Sequence, residues 1–503
     1  MVDLGSNSFR LVVFTSVAGR WWKRTDEIHE VVRIGAGLDA SGRLGEEPME
    51  RALQTLELYS HFCRASGVRD VRAVATSAIR DASNREQFLA AARERSGLQV
   101  QVLDPEQEAR FGYLAAVNST TLADGAVLDL GGGSAQLVRV VGRRARDLCS
   151  WPVGAVRMTE RFLPDKRASR KQLKALRGHL REELGQARWL ADCGPEGGRL
   201  VGVGGTVRNL AAAVQLVAGL PSHGVQGFEI GLDGLAGLVA RMAEMSAAER
   251  GRLPGIKSGR GDVVLAGAMV VQTVLELGGL EGIEATEAGL REGVFFSSYL
   301  KGDDPPLFAD VRHDGVLNLA RQYEADAAHV EHVARLSLEM FDALAAAGLH
   351  PGDALERELL WAAAILHDIG TSVDYDDHHK HSRYLILSAG LPGFSPRETA
   401  LIGQVARYHR KGAPTLGEFG PLAVDGDQQR LLRCSALLRL AEQLERSRDQ
   451  LVRATRVRAG SDGDVCLELV AVGDGDVSVA RWAAERQRDL FAQAFGRPLS
   501  LAA

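Results

Sequence analysis

The chain contains 503 residues, more than a single hydrophobic core usually supports, so we expect three or four domains. Hydrophobic residues make up 45% and charged residues 25% of the sequence, and this balance excludes disordered and fibrous proteins. The formal net charge is -5, so a polyanion has to be held by local clusters of cations and by backbone dipoles. A general nucleic-acid binder is therefore not expected.

Cysteine usage and hydropathy favour a cytoplasmic protein without a membrane partner. The five cysteines are scattered and form no CxxC pair, which argues against disulfide frameworks and cysteine zinc sites. Asp3 and Arg10 interrupt any apolar run of the kind that opens a signal peptide. The most apolar segment, residues 263–280, contains Gln272 and Glu276 and predicts a buried helix instead of a membrane span.

The first half of the chain alternates strands and helices, which is the pattern of an α/β fold. Short apolar runs predict strands at residues 11–14, 31–34 and 71–75, and apolar spacing predicts a helix over residues 50–66. A second α/β block begins near residue 114, and its strands at 126–130 and 200–203 each run into glycines. Glycine and tandem proline at 301–306 predict a linker after this block.

The second half is predicted to be mostly helical. Apolar residues at a spacing of three and four predict helices at 327–344, 354–367, 396–408 and 428–444. The tail from residue 452 reads as strand, strand and helix, with glycine-rich turns at 460–463 and 473–475. The predicted domains are therefore an α/β domain at 1–113, a second α/β domain at 114–302, a helical domain at 303–450 and a small α+β domain at 451–503.

Three strand ends run into turns that are rich in glycine and hydroxyl side chains. They are Asp3-Leu-Gly-Ser-Asn-Ser8, Asp129-Leu-Gly-Gly-Gly-Ser134 and Gly202-Val-Gly-Gly-Thr206. Free backbone N–H groups and hydroxyls in such a turn can surround a tetrahedral anion. One such match is weak evidence, but three in order, two of which begin with Asp-x-Gly, indicate phosphate binding.

Duplicated Asp-x-Gly turns resemble those of the actin, sugar-kinase and Hsp70 superfamily, in which two similar domains close over a nucleotide. More narrowly, six motifs in family order resemble the exopolyphosphatase / guanosine-pentaphosphate phosphohydrolase (Ppx/GppA) family. The motifs are Val2-Asp-Leu-Gly-Ser-Asn-Ser-Phe-Arg10, Ala75-Thr-Ser-Ala-Ile-Arg-Asp81, Glu108-Ala-Arg110, Leu128-Asp-Leu-Gly-Gly-Gly-Ser134, Gly154-Ala-Val-Arg157 and Gly204-Gly-Thr-Val-Arg208. The resemblance implies two actin-like (ribonuclease H-like) α/β domains that flank a cleft, followed by an all-α HD-like domain and a small α+β tail.

The same resemblance assigns catalytic roles in the cleft. It implies that Glu108 is the general base, because the family carries its catalytic carboxylate immediately before Ala-Arg. Asp129 is the predicted Mg²⁺ ligand, since hard cations take one or two carboxylates together with phosphate oxygens. Arg80 is a candidate clamp for phosphoryl oxygens, which suit its bidentate geometry. The predicted phosphate-binding residues are Ser6, Asn7, Ser8, Gly132, Gly133, Ser134, Gly205 and Thr206.

Two positions depart from the family pattern. The family usually has an acid where this chain has Gln107, in the sequence Pro-Glu-Gln-Glu-Ala-Arg, and another acid where it has Gln136. An amide cannot offer a carboxylate's charge to a metal or a water molecule. We therefore expect a metal affinity or a rate below the family norm.

The helical part resembles the metal-dependent HD phosphohydrolase pattern. His329, the adjacent pair His367-Asp368 and Glu442 come from three separate predicted helices and can bind one divalent ion in a bundle core. The pattern usually ends in Asp, where this chain has Glu442. Additional candidate ligands are His381, His409 and His332, which lies one helical turn from His329.

Four hypotheses for the function follow. The first is an exopolyphosphatase that releases orthophosphate from inorganic polyphosphate with the help of Mg²⁺ or another divalent cation. The second is a hydrolase of the 5′-terminal phosphate of guanosine pentaphosphate. The third is a weakly catalytic polyphosphate sensor, and the fourth places the activity in the HD-like domain, on a nucleotide phosphoester. The family resemblance is also compatible with a homodimer.

Overall fold

The computed structural model describes residues 1–194, 198–459 and 464–502 of the chain. They form two compact units, Met1–Val311 and Arg312–Ala503. The first unit is a mixed α/β structure with two sheets, and the second is mostly helical with a small sheet near its end. The predicted fold class, two actin-like α/β domains followed by a helical domain and an α+β tail, is confirmed. The finer domain boundaries remain predictions.

The first sheet has five strands. They are β1 (Val2–Leu4), β2 (Phe9–Val17), β3 (Trp21–Glu30), β4 (Ala73–Ala75) and β5 (Val100–Val102). The helices of this part are α1 (Leu38–Ser41), α2 (Glu46–Ala65), α3 (Ser77–Arg80), α4 (Arg85–Ser96) and α5 (Pro105–Val117). The strand order is β3-β2-β1-β4-β5, in which the first three strands form an antiparallel meander and β4 and β5 continue parallel to β1.

The second sheet has six strands. They are β6 (Gly125–Leu130), β7 (Ala135–Val141), β8 (Arg144–Trp151), β9 (Arg199–Val203), β10 (Phe228–Gly231) and β11 (Gly282–Ala285). The accompanying helices are α6 (Ala155–Phe162), α7 (Arg170–Leu184), α8 (Gly205–Val217), α9 (Leu232–Ala243), α10 (Ala247–Arg250), α11 (Val264–Gly278) and α12 (Leu290–Tyr299). The order β8-β7-β6-β9-β11 repeats that of the first sheet, and β10 adds an antiparallel edge. Each Asp-x-Gly turn therefore joins the first two strands of a meander.

Residues 31–34, which we predicted as a strand, do not form one, because β3 ends immediately before them. Arg33 has a φ of 52°, in the left-handed region that strands do not use, and its N–H donates to the carbonyl of Asn7 at 2.9 Å. Val32 and Ile34 are buried in the core of the first sheet, which explains the apolar run. The segment supports the turn after β1 instead of extending the sheet.

The predicted buried helix corresponds to α11, which is buried at nearly every position in the core of the second sheet. Its apolar residues pack against several neighbouring helices of that half, so the protein itself buries them. Within the described ranges, no helix combines the length and the apolar composition that a membrane span requires.

The second unit contains the four helices predicted for it and several more elements. Its helices are α13 (Val311–Gln322), which begins at the end of the first unit, α14 (Ala327–Ala346), α15 (Ala354–Leu366), α16 (His378–Ala389), α17 (Pro396–Tyr408), α18 (Asp427–Leu444), α19 (Ser478–Glu485) and α20 (Arg488–Phe495). Its strands β12 (Val452–Ala459), β13 (Val465–Ala471) and β14 (Leu499–Ala502) form the tail sheet, in which β14 was not predicted. The predicted turn at 460–463 lies outside the described residues, and Gly473 has the positive φ (56°) expected of the second turn.

Candidate functional site

The strand ends of the two sheets in the first unit face a cavity of about 130 Å³. All three glycine-rich turns and the first turn of α5 contribute to its lining. The predicted site residues that line it are Ser6, Asn7, Ser8, Glu108, Asp129, Gly132, Ser134 and Gly205. Residues that are distant in the sequence are thus brought around one small space.

Three predicted residues lie beside this lining. Gly133 borders an adjoining cavity of about 20 Å³. Thr206 is buried in the first turn of α8, where a Cβ on Gly267 would lie 2.6 Å from its Cγ2, so α8 and α11 approach closely. Arg80, the last residue of α3, reaches the site only through its contact with Glu108.

Glycines allow the first two turns to meet. A Cβ on Gly133 would lie 2.4 Å from Ser77 Oγ and 2.9 Å from Ser6 Oγ, and these two hydroxyls lie 3.3 Å apart. A Cβ on Gly154, the residue before α6, would lie 2.4 Å from the carbonyl carbon of Gly132. A side chain at position 133 would separate the first two turns, and one at position 154 would separate the start of α6 from the second turn, so glycine is needed for both close approaches.

Glu108 lies in the first turn of α5, after a capping box formed by Asp104 and Gln107. Its carboxylate is buried, accepting hydrogen bonds from Arg80 Nη1 at 2.7 Å and from Ser134 Oγ at 3.3 Å. Burial raises the pKa of Glu108, although the hydrogen bond and charge of Arg80 act in the opposite direction. A carboxylate that is held in this way beside a polar cavity can accept a proton from a positioned water molecule.

The two glutamines at the positions of family acids have different surroundings. The side chain of Gln107 accepts a hydrogen bond from the backbone N–H of Asp104 at 3.2 Å, so it belongs to the helix cap. Gln136 is buried, and its Nε2 donates to Ser134 Oγ at 2.9 Å. Since Ser134 in turn donates to Glu108, Gln136 begins a hydrogen-bond chain that orients the carboxylate.

Asp129 lies near the end of β6, with its carboxylate against Gly112 of α5. A Cβ on Gly112 would lie 2.8 Å from Asp129 Oδ2, so a larger residue there would displace the acid. Burial and the charges of Glu108 and Asp3 raise the pKa of Asp129 to about 7, and burial raises that of Asp3 as well. Neighbouring carboxylates that disfavour one another's ionisation are suited to a cation, and an all-oxygen donor set fits Mg²⁺.

Four arginines that the sequence did not single out also line the cavity: Arg10, Arg208, Arg260 and Arg291. Burial and the neighbouring guanidinium groups lower the pKa of Arg208 to about 10. One acid beside this group is Glu27, whose Oε1 lies 3.0 Å from Arg10 and 3.7 Å from Arg291. Such a cluster is suited to a polyanion. Arg10 and Arg208 are the last residues of two of the motifs, so the sequence contained a signal for them. Arg260 and Arg291 lie outside the motifs, and only the fold brings them to the cavity.

The second unit brings together the four predicted ligands of the HD-like pattern. His329 Nε2 lies 3.1 Å from Glu442 Oε2 and 3.8 Å from Asp368 Oδ2. His367 Nε2 lies 3.3 Å from the same glutamate oxygen and 3.6 Å from Asp368 Oδ1. Burial alone would lower the pKa of His367, but the two carboxylates raise it to about 9. A mixed imidazole and carboxylate set fits a borderline divalent cation such as Zn²⁺ or Mn²⁺.

Of the additional candidates, only His409 contacts this cluster, with Nε2 3.8 Å from Asp368 Oδ1. His378, which the sequence did not single out, takes the position considered for His381, with Nε2 3.3 Å from the same oxygen. His332 instead places its Nε2 3.0 Å from a backbone carbonyl of β12. Local spacing could not choose among the histidines at the start of α16, because the choice depends on which side of that helix faces Asp368.

Comparisons with known proteins agree with the motifs. Residues 12–302 match the sequence model of the Ppx/GppA phosphatase family, and residues 311–471 match that of Ppx/GppA phosphatase, domain III. A crystal structure of the Aquifex aeolicus member of the Ppx/GppA family is 31% identical, covers 60% of this chain and 97% of its own, and has a TM-score of 0.52.

Two further solved structures are similar over a comparable share of the chain. One, described as an exopolyphosphatase-like protein, is 29% identical, covers 58% of this chain and 94% of its own, and has a TM-score of 0.53. The other, an exopolyphosphatase from Cytophaga hutchinsonii, is 23% identical, covers 59% of this chain and 96% of its own, and has a TM-score of 0.55, a likeness of fold alone.

Proposed function

The chain belongs to the Ppx/GppA phosphatase family, and on this premise we propose that it is an exopolyphosphatase that releases orthophosphate from the ends of inorganic polyphosphate. The observation that carries the proposal is the composition of one cavity. Glycine turns, the carboxylates of Asp3, Glu108 and Asp129, and four arginines line a space of about 130 Å³. This combination suits a row of phosphate groups and a divalent cation.

In the proposed mechanism, Glu108 orients a water molecule and accepts its proton. The water oxygen forms a bond to the terminal phosphorus, the bond from that phosphorus to the bridging oxygen breaks, and the shortened chain leaves with the negative charge. Asp129 and Asp3 would hold Mg²⁺, which supplies charge neutralisation when bound. Gln136, Ser134 and the capped start of α5 fix the carboxylate before the substrate arrives.

The turns and the arginines bind the chain in this proposal. Backbone N–H groups of the glycine turns and the hydroxyls of Ser6, Ser8 and Ser134 would donate to phosphoryl oxygens. Arg80 donates to Glu108 at 2.7 Å, and in the proposal it contacts phosphoryl oxygens while it keeps this hydrogen bond. The four cavity arginines offer the larger cationic surface.

We propose polyphosphate instead of guanosine pentaphosphate as the substrate because of the residues that line the cavity. Among the residues that the structure describes, its lining includes no aromatic side chain on which a guanine could stack. A non-catalytic sensor is disfavoured by the place of Gln107 in a helix cap and by the link of Gln136 to Glu108. The loss of two family acids therefore leaves the proposed base in place.

Orthophosphate release tests the proposal directly. The purified full-length protein is assayed on long-chain polyphosphate, guanosine pentaphosphate and p-nitrophenyl phosphate, with Mg²⁺ and with a chelator. We expect Mg²⁺-dependent release that is fastest on polyphosphate. Faster release from guanosine pentaphosphate would assign the second hypothesis, and tight polyphosphate binding without release would assign the sensor.

We also propose that His329, His367, Asp368 and Glu442 hold a divalent cation in the second unit. Both ring nitrogens of His329, the Nε2 of His367 and the Oε2 of Glu442 are buried and lack a hydrogen-bond partner apart from their contacts with one another. Buried polar atoms without partners are costly, and a shared cation satisfies them together.

A further inference from the structure

Two of the six motifs end in residues to which the proposed mechanism gives no role, Asp81 and Arg157. Asp81 directly follows α3, and Arg157 lies in the first turn of α6. Arg157 Nη2 donates to Asp81 Oδ2 at 2.9 Å, although 76 positions separate the two residues in the sequence. The contact therefore joins the part of the first unit that contains the first sheet to the part that contains the second.

This pair continues as a chain of alternating charges to the proposed base. The other oxygen of Asp81, Oδ1, lies 3.5 Å from Arg80 Nε, and Arg80 Nη1 donates to Glu108 Oε2 at 2.7 Å. The side chains of Arg80 and Arg157 are each only 15% exposed. Partly buried charges are screened less than charges on the open surface, so each link in the chain influences the next.

Arg80 lies between two carboxylates that compete for it. A guanidinium and a carboxylate tend to form a bidentate pair. Without a second cation, Asp81 would draw the guanidinium of Arg80 toward itself and away from Glu108. Arg157 occupies Asp81 Oδ2 and so opposes a bidentate pair between Asp81 and Arg80. The hydrogen bond from Arg80 to the base thus depends on a cation from the other part of the unit.

The backbone of Arg157 holds the second glycine turn. The N–H groups of Val156 and Arg157 donate to the carbonyl of Gly132 at 2.8 and 3.2 Å. Gly132 lines the larger cavity of the first unit, whereas Arg157 borders the adjoining cavity of about 20 Å³. One residue is therefore bonded to a predicted phosphate-binding turn through its main chain and to the surroundings of the base through its side chain.

We propose that Arg157 is a positioning residue that acts through Asp81 to keep Arg80 on Glu108, and thereby fixes this carboxylate relative to the second glycine turn. The inference rests on the proposed role of Glu108 as the general base. Binding of the chain is assigned to the turns and to the four cavity arginines, so the side chain of Arg157 should contribute to turnover and not to substrate affinity. A displacement of about 1 Å at a reacting group can cost about 100-fold in rate, and loosening one link should cost less.

Steady-state release of orthophosphate from polyphosphate tests the side chain. We expect Arg157→Gln to lower kcat about 10-fold and to leave KM within about 3-fold of wild type. Arg157→Lys should recover most of kcat, because the contact with Asp81 uses a single nitrogen that an ammonium group can replace. Thermal unfolding of every variant accompanies the assay. A wild-type kcat in the glutamine variant, a change confined to KM, or a lysine variant as slow as the glutamine variant would overturn the proposal.

A double-mutant comparison tests whether Arg157 acts through Asp81. Asp81→Asn keeps the shape of the side chain but removes the charge that competes for Arg80. In the Arg157→Gln/Asp81→Asn double variant nothing draws Arg80 away from Glu108, so this variant should be no slower than Arg157→Gln alone. Losses that multiply would show that the two residues act separately, and they would contradict the proposed chain.

Two variants serve as matched controls. Asp39 Oδ1 lies 3.7 Å from Arg157 Nε, so Asp39→Asn removes a contact of the same arginine without breaking the links to Glu108. Arg161→Gln changes an exposed arginine on the same helix. Both should keep kcat within about 3-fold of wild type. A 10-fold loss in either one, as in Arg157→Gln, would remove the reason for routing the effect through Asp81.

A Glu108→Gln background separates this inference from the proposed function. Arg157→Gln should have no further effect there, because no base remains to be positioned. A further loss of about 10-fold in that background would overturn the inference alone. Unchanged turnover of Glu108→Gln, or a wild type that releases no orthophosphate from polyphosphate, would overturn the proposed function and this inference with it.

Discussion

Replacing Glu108 with glutamine tests the proposed chemistry of the first unit with a small change in shape. The amide keeps an oxygen that can accept from Ser134 Oγ, but it cannot take a proton from water, and it loses the charge that pairs with Arg80 at 2.7 Å. Arg80 retains hydrogen bonding to the carbonyl of Leu103 at 3.0 Å, so the loss of folding free energy should be modest, about 1–3 kcal/mol.

The expected effect on turnover is much larger. A positioned general base contributes about 10²- to 10⁴-fold, which corresponds to about 3–5 kcal/mol of transition-state stabilisation. Because burial raises the pKa of Glu108, the wild-type rate should fall as the pH drops through that raised value. The glutamine variant should lack this acidic limb. The assay is orthophosphate release from polyphosphate across pH, together with equilibrium binding of polyphosphate and thermal unfolding.

Glu106→Gln is the matched control, because Glu106 is exposed in the same helical turn and lies outside the cavity lining. It removes one negative charge near Glu108 without touching the site, and it should keep wild-type turnover. The assignment of the base is wrong if the Glu108 variant binds polyphosphate normally and retains more than about a tenth of wild-type turnover.

Three further changes address substrate binding, metal binding and stability. Arg260→Gln should raise the KM for polyphosphate by about 10- to 100-fold in steady-state assays, because it removes a charge-assisted hydrogen bond worth about 1.5–3 kcal/mol. Gly112→Ala should raise the Mg²⁺ concentration needed for half-maximal rate, since its Cβ would lie 2.8 Å from Asp129 Oδ2. Glu356→Gln should lower the free energy of unfolding of the second unit by about 3–5 kcal/mol in denaturant titrations, because the guanidinium of Arg433, bound at 2.6 and 2.8 Å, loses its buried partner. Burial opposes ionisation of Glu356, but its hydrogen bonds hold its pKa below the ordinary value, so this loss should be complete above pH 4.5 and shrink as the pH falls through the lowered pKa.

Each of these changes has a control of the same residue type. Arg252→Gln alters an exposed arginine outside the cavity lining and should leave the KM unchanged. Gly178→Ala places a Cβ on α7 with nothing within 4 Å, and it should leave the Mg²⁺ requirement unchanged while stabilising the helix slightly. Glu331→Gln changes an exposed acid on α14 and should leave unfolding unaltered. A control that behaves like its partner would remove the structural reason given for that partner.

The parts of the fold that were predictable are those whose signal is local. α14 and α17 carry their apolar residues at helical spacing; α17 has the predicted bounds, and α14 begins at the predicted residue and ends at Ala346 instead of residue 344. β3 was missed because its ten residues are exposed or half-exposed, so no apolar alternation marks it. The wrong strand at 31–34 has the opposite cause: its apolar side chains are buried under a turn, and burial alone does not distinguish a strand from an irregular segment.

The site residues also divide into those with a local sequence signal and those without one. The glycine turns could be predicted because each one is a short run with its own backbone chemistry, and the fold places them around one cavity. Arg260 and Arg291 could not, because Arg260 lies just before α11 and Arg291 lies in the first turn of α12, and only the folded positions of these helices bring the two side chains to the cavity. His378 was missed for a related reason, since the orientation of α16 decides which of its histidines faces Asp368.

The duplicated hairpin shows how one backbone design serves two roles. Asp3 pairs across its hairpin with Arg10, and Asp129 pairs at the equivalent register with Gln136. Arg10 adds positive charge to the cavity, whereas Gln136 adds none and donates to Ser134, which holds Glu108. An acid at position 136 would accept from that serine instead of donating to it, and it would add a fourth carboxylate beside three that already disfavour one another's ionisation. The amide therefore lowers the charge available to a metal but keeps the base oriented, so we expect the departure from the family pattern to affect the Mg²⁺ requirement more than the rate at saturating Mg²⁺.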